Sequence, residues 1–290
     1  MISGRRSEDV TNTPEDHASL VALNPSPTTD TISAVIDFPH VQSGDDIRVS
    51  ASSFVSYCEC PERAAAHFRG IYGPDTKASF SGGLAHRVFA RHLDRGEIES
   101  VQFEQVCREE IGSSNLNFKV AALGLKPSAL GRVIEEVGLL YEKFKRLPVQ
   151  GYEASEVYFE IEPTAGVSLV GRIDAVFDEE SGYKLVDWKT GALGEVALQL
   201  GFYAMLWALD RGELPGGIEA ISVATGERYA EIPSRSGVEE TAGRVAGMID
   251  ALRLAWETGS DLDRRGGPWC RYCPVLEGCR EGAVAVEVSS

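Results

Sequence analysis

The stretch Leu169–Gly191, LVGRIDAVFDEESGYKLVDWKTG, carries Asp174 and Asp187 on two short apolar runs. Leu169, Val170, Ile173, Ala175, Val176 and Phe177 make the first run, and Tyr183, Leu185, Val186 and Trp188 the second. The DEESG between them is acidic and ends in glycine, so the segment reads as two antiparallel strands joined by a hairpin loop. The two acids then stand on neighbouring strands. Burying one unpaired carboxylate costs several kcal/mol, and two side by side raise each other's pKa or need a cation between them. A divalent metal ion is the economical answer. Lys189 follows Asp187 by two residues, so the strand's period of two puts both side chains on one face. An Asp and a Lys at this spacing also occur on solvated strands, so the pair alone does not identify a site.

The 290 residues are enough for one sizeable core, and no run approaches the roughly 18 to 20 apolar residues of a membrane span. Arg5 and Arg6 have no apolar stretch behind them, so the expected setting is cytoplasmic, with no membrane contact. Net charge is -16, from 28 basic and 44 acidic residues, which argues against a broad nucleic-acid surface and leaves room only for a local basic patch. The six cysteines of such a chain read as metal ligands or free thiols rather than disulfides.

Residues 1–47 are rich in Ser, Thr, Pro and Asp and read as a flexible acidic arm, with one apolar run at Ala34–Phe38 as a candidate strand. A domain over 48–284 follows. Short helices interrupted at Pro61 come first, then a helix through SGGLAHRVFARHLDRG with Leu84, Val88 and Phe89 on one stripe and His86 off it. Helices over 100–112 and 128–147 make a helical lobe at about 100–148. SEVYFEIEP, the two runs of the hairpin, IEAISVAT and RYAEIP read as strands, separated by the apolar helix EVALQLGFYAMLWALDRG, whose Gln199 and Tyr203 share a face. A helix over 237–258 leads to a cysteine-rich tail at 264–282. This order predicts an α/β (α+β) domain: a mixed central sheet flanked by helices, with a helical lobe inserted near its start.

Cys270, Cys273 and Cys279 form a C-x2-C-x5-C triplet, and a tetrahedral centre needs a fourth ligand. Cys60, followed by proline, is the best candidate; Cys58 is the fallback, and Cys107 reads as a buried thiol on a helix. Joining Cys60 to the tail closes a loop of about 210 residues, worth roughly 5 kcal/mol as an upper figure for a crosslink. Zinc and a [4Fe–4S] cluster both accept four thiolates, and spacing does not separate them.

Together, AHRVF with His86, GRIDAV with Asp174, LVDWKTG with Asp187 and Lys189, and QLGFY with Gln199 and Tyr203 resemble the PD-(D/E)XK nuclease superfamily. Within it they are similar to the branch of RecB and AddB nuclease domains and Cas4 proteins, over residues 50 to 280. The resemblance implies a restriction-endonuclease-like fold and a Mg²⁺- or Mn²⁺-dependent DNA nuclease, an exonuclease on single-stranded ends serving repair, recombination or CRISPR adaptation. It implies His86, Asp174, Asp187 and the Trp188 backbone carbonyl as metal ligands. Lys189 would orient or deprotonate the attacking water or steady the charge on the phosphate, and Gln199 and Tyr203 would position substrate and Lys189. The cysteines at 60, 270, 273 and 279 look like the family's [4Fe–4S] staple between the two ends of the domain, which favours the cluster over zinc. Absence of a G-x4-GK[ST] motif suits a stand-alone nuclease. Arg63, Arg87 and Arg271, near the motifs, are expected to contact DNA. Two rival readings are a DNA-end-binding adaptor stapled by the same cluster, working with a helicase or integrase-type partner and cutting little alone, and a zinc-stapled hydrolase of small phosphoesters.

Overall fold

In the computed structural model, residues 38–39 and 46–288 are described; the arm expected over 1–47 and its apolar run lie almost wholly outside them. The chain enters the sheet through β1 (Ile47–Ser50) and passes straight into α1 (Ala51–Glu59), where Ser50 and Ser53 form a capping box. Pro61 removes the next amide donor and starts α2 (Pro61–Phe68). Then come α3 (Lys77–Arg95), α4 (Phe103–Gly112), α5 (Leu116–Ala122) and α6 (Pro127–Phe144). Strands β2 (Tyr152–Thr164), β3 (Val167–Glu179) and β4 (Gly182–Lys189) precede α7 (Ala197–Arg211), β5 (Gly217–Ser222), β6 (Arg228–Glu231) and α8 (Arg235–Thr258). A 3₁₀ turn (Pro268–Tyr272) and α9 (Arg280–Val288) finish the described chain. Strand β1 and helices α5 and α9 are additions to the order expected from sequence: each is short, and periodicity is weak over so few residues.

The sheet is mixed, as expected. β3 pairs antiparallel with β2 along its length, from Tyr152–Phe177 to Thr164–Val167. Its other edge is shared: β1 runs parallel to Val167–Val170, and β4 antiparallel to Ala175–Glu179. Gly171, Arg172, Ile173 and Asp174 therefore lie at a break in that edge, between the two partners. β4 continues parallel to β5 through Lys189–Ser222, and β5 pairs antiparallel with β6.

Helices cover both faces. On one, α1, α7 and α8 pack on Val49, Leu169, Ile173, Leu185, Ile218 and Ala220. On the other, α3, α4 and α6 pack on Ala175, Phe177, Val186, Trp188 and Ile221. The buried face of β3 thus changes between Ile173 and Ala175, and Asp174 sits at the turnover. A side-chain period of two cannot cross such a point without a local irregularity. Buried Glu62 ties the tail to the start of the domain: its Oε2 accepts from the Leu262 N–H at 3.0 Å, and Arg69 pairs with its other oxygen. Among the described residues no helix is long and apolar enough to cross a membrane.

Gly171 is required by packing. A Cβ there would lie 2.4 Å from Leu206 Cδ1 and 3.5 Å from the Tyr203 ring, and both neighbours are buried in α7. Gly171→Ala is expected to lower stability by about 1–3 kcal/mol through overpacking, read as a shifted denaturant midpoint with unchanged slope.

Candidate active site

The residues singled out from the sequence converge on the break in the sheet. Beyond the Ala175–Val186 pair the β3–β4 ladder ends, and the Trp188 N–H donates instead to Asp174 Oδ2 at 2.7 Å. Asp187 and Lys189 do share a face: Lys189 Nζ lies 2.8 Å from Asp187 Oδ2. Helix α7 lays Gln199 and Tyr203 over them. Lys189 Nζ donates to Gln199 Oε1 at 2.6 Å, and the Gln199 amide nitrogen donates to Asp187 Oδ1 at 2.8 Å and to the Tyr203 hydroxyl at 2.9 Å. From the opposite helical layer, α3 brings His86 Nδ1 to 3.0 Å from Asp174 Oδ1.

Glu156 was not among the residues expected at the site. It stands on β2 opposite Asp174, between the Ser155–Ala175 and Val157–Ile173 pairs. Ligand atoms of His86, Glu156 and Asp174 lie within 4.8 Å of one another. In the sequence, Glu156 alternates with Tyr158, Glu160 and Glu162 against Val157, Phe159 and Ile161, the pattern of a solvent-facing position.

The electrostatics fit a cation. Burial first, then the charge of Asp174, pushes Asp187 up to about 6, with Lys189 and His86 opposing. Glu156 is raised for the same two reasons, burial and Asp174. Burial alone would lower His86, but Asp174, Asp187 and Glu156 outweigh it and lift the imidazole to about 9. Asp187 Oδ2 is buried, with the Lys189 ammonium at 2.8 Å as its compensating charge. An imidazole grouped with hard carboxylate oxygens suits a divalent ion.

A groove of about 510 Å³ reaches the site at Gln199 and Tyr203 and is lined further out by Ser50, Ser52, Arg63, Tyr158 and Arg172. Of the three arginines expected to contact DNA, Arg63 lines the groove but pairs with Glu59. Arg87 is half-buried next to His86 on α3, and Arg271 is exposed on the 3₁₀ turn.

At the far end of α1 a small cavity is lined by Cys60, Cys270, Cys273 and Cys279 together. The Arg265, Gly267 and Gly282 N–H groups donate to the sulfurs of Cys60, Cys270 and Cys279 at 3.3–3.4 Å. Cys58 does not line that cavity; its sulfur accepts from Arg244 at 3.2 Å. Cys107 is fully buried in the helical lobe, where desolvation pushes the thiol up to about 12.

The family model for the PD-(D/E)XK nuclease superfamily matches residues 48–280. The chain belongs to that superfamily. It is thus a nuclease by family, with the restriction-endonuclease-like fold that its mixed sheet displays. Among solved structures it is similar to an Eubacterium rectale protein that is an exonuclease by designation only. That match has a TM-score of 0.50 at 14% identity, covering 80% of this chain and 86% of that one. A structure designated SSO0001 matches with a TM-score of 0.34 at 17% identity, over 83% of this chain and 88% of that one, too low to bear on the argument. No curated protein sequence matches the chain.

Proposed function

We propose that this nuclease is a Mg²⁺- or Mn²⁺-dependent DNA exonuclease acting on single-stranded ends, of the RecB, AddB and Cas4 branch, with a [4Fe–4S] cluster on Cys60, Cys270, Cys273 and Cys279. The observation that carries the reading is one connected network at the break in the sheet: Tyr203, Gln199, Lys189 and Asp187, with Asp174 and His86 beside them. His86, Asp174, Asp187 and the Trp188 carbonyl would hold the divalent ion, which would supply polarisation of the phosphoryl oxygens and a lowered pKa for water. Asp174 caps the Trp188 amide and so fixes the backbone between Asp187 and Lys189. Gln199 accepts from the Lys189 ammonium, aiming its charge at the site where the phosphate becomes most anionic. Tyr203 accepts from Gln199 and sets which way that amide points.

The groove supports a single strand as substrate. The Tyr158 ring is 44% exposed there, with the Arg172 guanidinium 5.9 Å from its centre, and aromatic and guanidinium faces stack on unpaired bases. The cysteines offer four thiols around one cavity, a ligand set that a [4Fe–4S] cluster and zinc both accept, and the family resemblance favours the cluster. Amide donors to sulfur are a known means of tuning such clusters.

The test is to purify the protein without oxygen, assay iron and sulfide, and incubate it with end-labelled single- and double-stranded DNA and Mn²⁺ or Mg²⁺. Stepwise loss of nucleotides from single-stranded ends, absent in Asp174→Asn, is the expected result. No cutting by protein that carries its cluster would overturn the exonuclease reading in favour of an adaptor.

A further inference from the structure

On α6, Glu135, Gly138, Leu139 and Glu142 follow the i, i+3, i+4, i+7 spacing of one helix face. They line a recess of about 390 Å³ that Ile98, Phe103 and Tyr141 complete. Its floor is held in place: the Tyr141 hydroxyl accepts from the Ile98 N–H at 2.6 Å, and the Phe103 and Tyr141 rings stack with centres 5.2 Å apart. Gly138 lets the Phe103 ring lie against the helix, since a Cβ there would stand 3.3 Å from it. Leu139 is 70% exposed, and Val101, in the turn before Phe103, is 88% exposed. Exposed apolar surface rimmed by polar groups marks a place of association. The rim here is acidic. Among the described residues, Glu135 and Glu142 are the only charged ones lining the recess, and Glu99 lies between Ile98 and Ser100 on its edge. Lys145 is shared by Glu97 and Glu142, which leaves Glu99 and Glu135 without a base among the described residues. That sign decides what covers the face. DNA would bring phosphates against carboxylates. A second copy across a two-fold axis would set the same acids against each other, and the chain's own apolar run at Ala34–Phe38 carries Asp37 on an acidic arm. A basic partner meets none of these penalties. Glu135 and Glu142 stand about 10 Å apart along the helix, the repeat at which positions i and i+7 recur on a facing helix. Gly138 leaves a hollow beside the protruding Leu139, the relief into which the side chains of a second helix fit.

We propose that this face of α6 docks an amphipathic helix of a basic partner protein, whose apolar side chains fill the recess at Gly138 and Leu139 while Lys or Arg residues seven positions apart reach Glu135 and Glu142. The face shares no residue with the groove at the active site, so the partner sits there while substrate enters. The inference goes beyond the nuclease reading and does not depend on it.

The experiment is fluorescence anisotropy of a labelled helical peptide of about 18 residues, with leucines four apart on one face and flanking lysines seven apart, titrated with the full chain at about 0.15 M salt. A second peptide carries glutamate in place of each lysine. The lysine peptide is expected to bind wild type at least about 10-fold more tightly than the glutamate peptide, and Leu139→Ser and Glu135→Lys should each weaken it about 10-fold. Glu135→Lys should also bind the glutamate peptide better than wild type does, while cleavage of DNA by Leu139→Ser stays within about 2-fold of wild type. Hydrogen exchange on the wild-type complex, which needs no variant, should show protection confined to α6 and residues 98–103. No binding of the lysine peptide, equal binding of the two peptides, affinity unchanged in both variants, or protection elsewhere would each overturn the assignment. A wild type that sediments as a dimer beside a monomeric Leu139→Ser would overturn it too, giving the face to a second copy.

Discussion

Lys189→Ala is expected to slow phosphodiester cleavage about 10³-fold while the protein folds and binds DNA as before. The ammonium is held between Gln199 Oε1 at 2.6 Å and Asp187 Oδ2 at 2.8 Å, so its position is fixed before substrate arrives. A preorganised charge of this kind acts on the transition state more than on bound substrate, and losing one such group costs about 10² to 10³ in rate. Arginine should not rescue it, because a planar fork does not fit a pocket built around a compact ammonium. Gln199→Ala, which leaves the lysine in place but loosens it, should fall in between, at about 10- to 100-fold. Single-turnover rates on end-labelled single-stranded DNA decide the matter, and a Lys189→Ala rate within about tenfold of wild type would remove the lysine from the chemistry.

Asp187→Asn is expected to abolish cleavage and yet raise the melting temperature of the metal-free protein. Asp187 is 3% exposed, and burial with Asp174 nearby raises its pKa from 3.8 to about 6. For an acid whose pKa is higher folded than unfolded, the folded state binds the proton more tightly. Stability is then greatest below about pH 4, falls as pH rises to about 6 and stays low above it. At about 1.4 kcal/mol per pKa unit, the penalty at neutral pH is on the order of 3 kcal/mol, a figure already net of the Lys189 ion pair, which opposes the shift. At about 2–4 °C per kcal/mol, a gain of some degrees follows. Thermal unfolding at pH 7 with chelator should show the variant melting above wild type. Added Mn²⁺ should raise wild type and leave the variant nearly unmoved. A variant that melts lower would mean the Lys189 pair outweighs the cost of the buried charge.

These two outcomes follow from residues that local pattern made visible. The period of two set Asp187 and Lys189 on one face, and the helical spacing of four joined Gln199 to Tyr203, because each relation is decided within a single element. The hairpin was equally legible, its loop being a short run of turn residues between apolar strands. Cys60 and the tail were a different matter: spacing offered Cys58 as well, and only packing sets Cys60 on the shared cavity and turns Cys58 to Arg244. Arg91, one helical turn beyond Arg87 on α3, is occupied by Glu109 and Glu110 of α4, which proximity in sequence could not reveal.

By itself, then, the sequence determined most element types, the faces they bury, and Asp174, Asp187 and Lys189 as chemically unusual residues, while His86 entered only with the family resemblance. Those properties depend on side-chain periodicity and on the cost of burying charge, both readable over a few residues. The tertiary structure alone decided that β1 and β4 share an edge of β3 and leave Gly171–Asp174 open between them. It also decided that Glu156, patterned like a solvent-facing residue, turns inward beside Asp174 and His86. The first outcome depends on how segments more than a hundred residues apart meet, and the second on a helix 88 residues before Asp174 and on one backbone angle that no local pattern encodes.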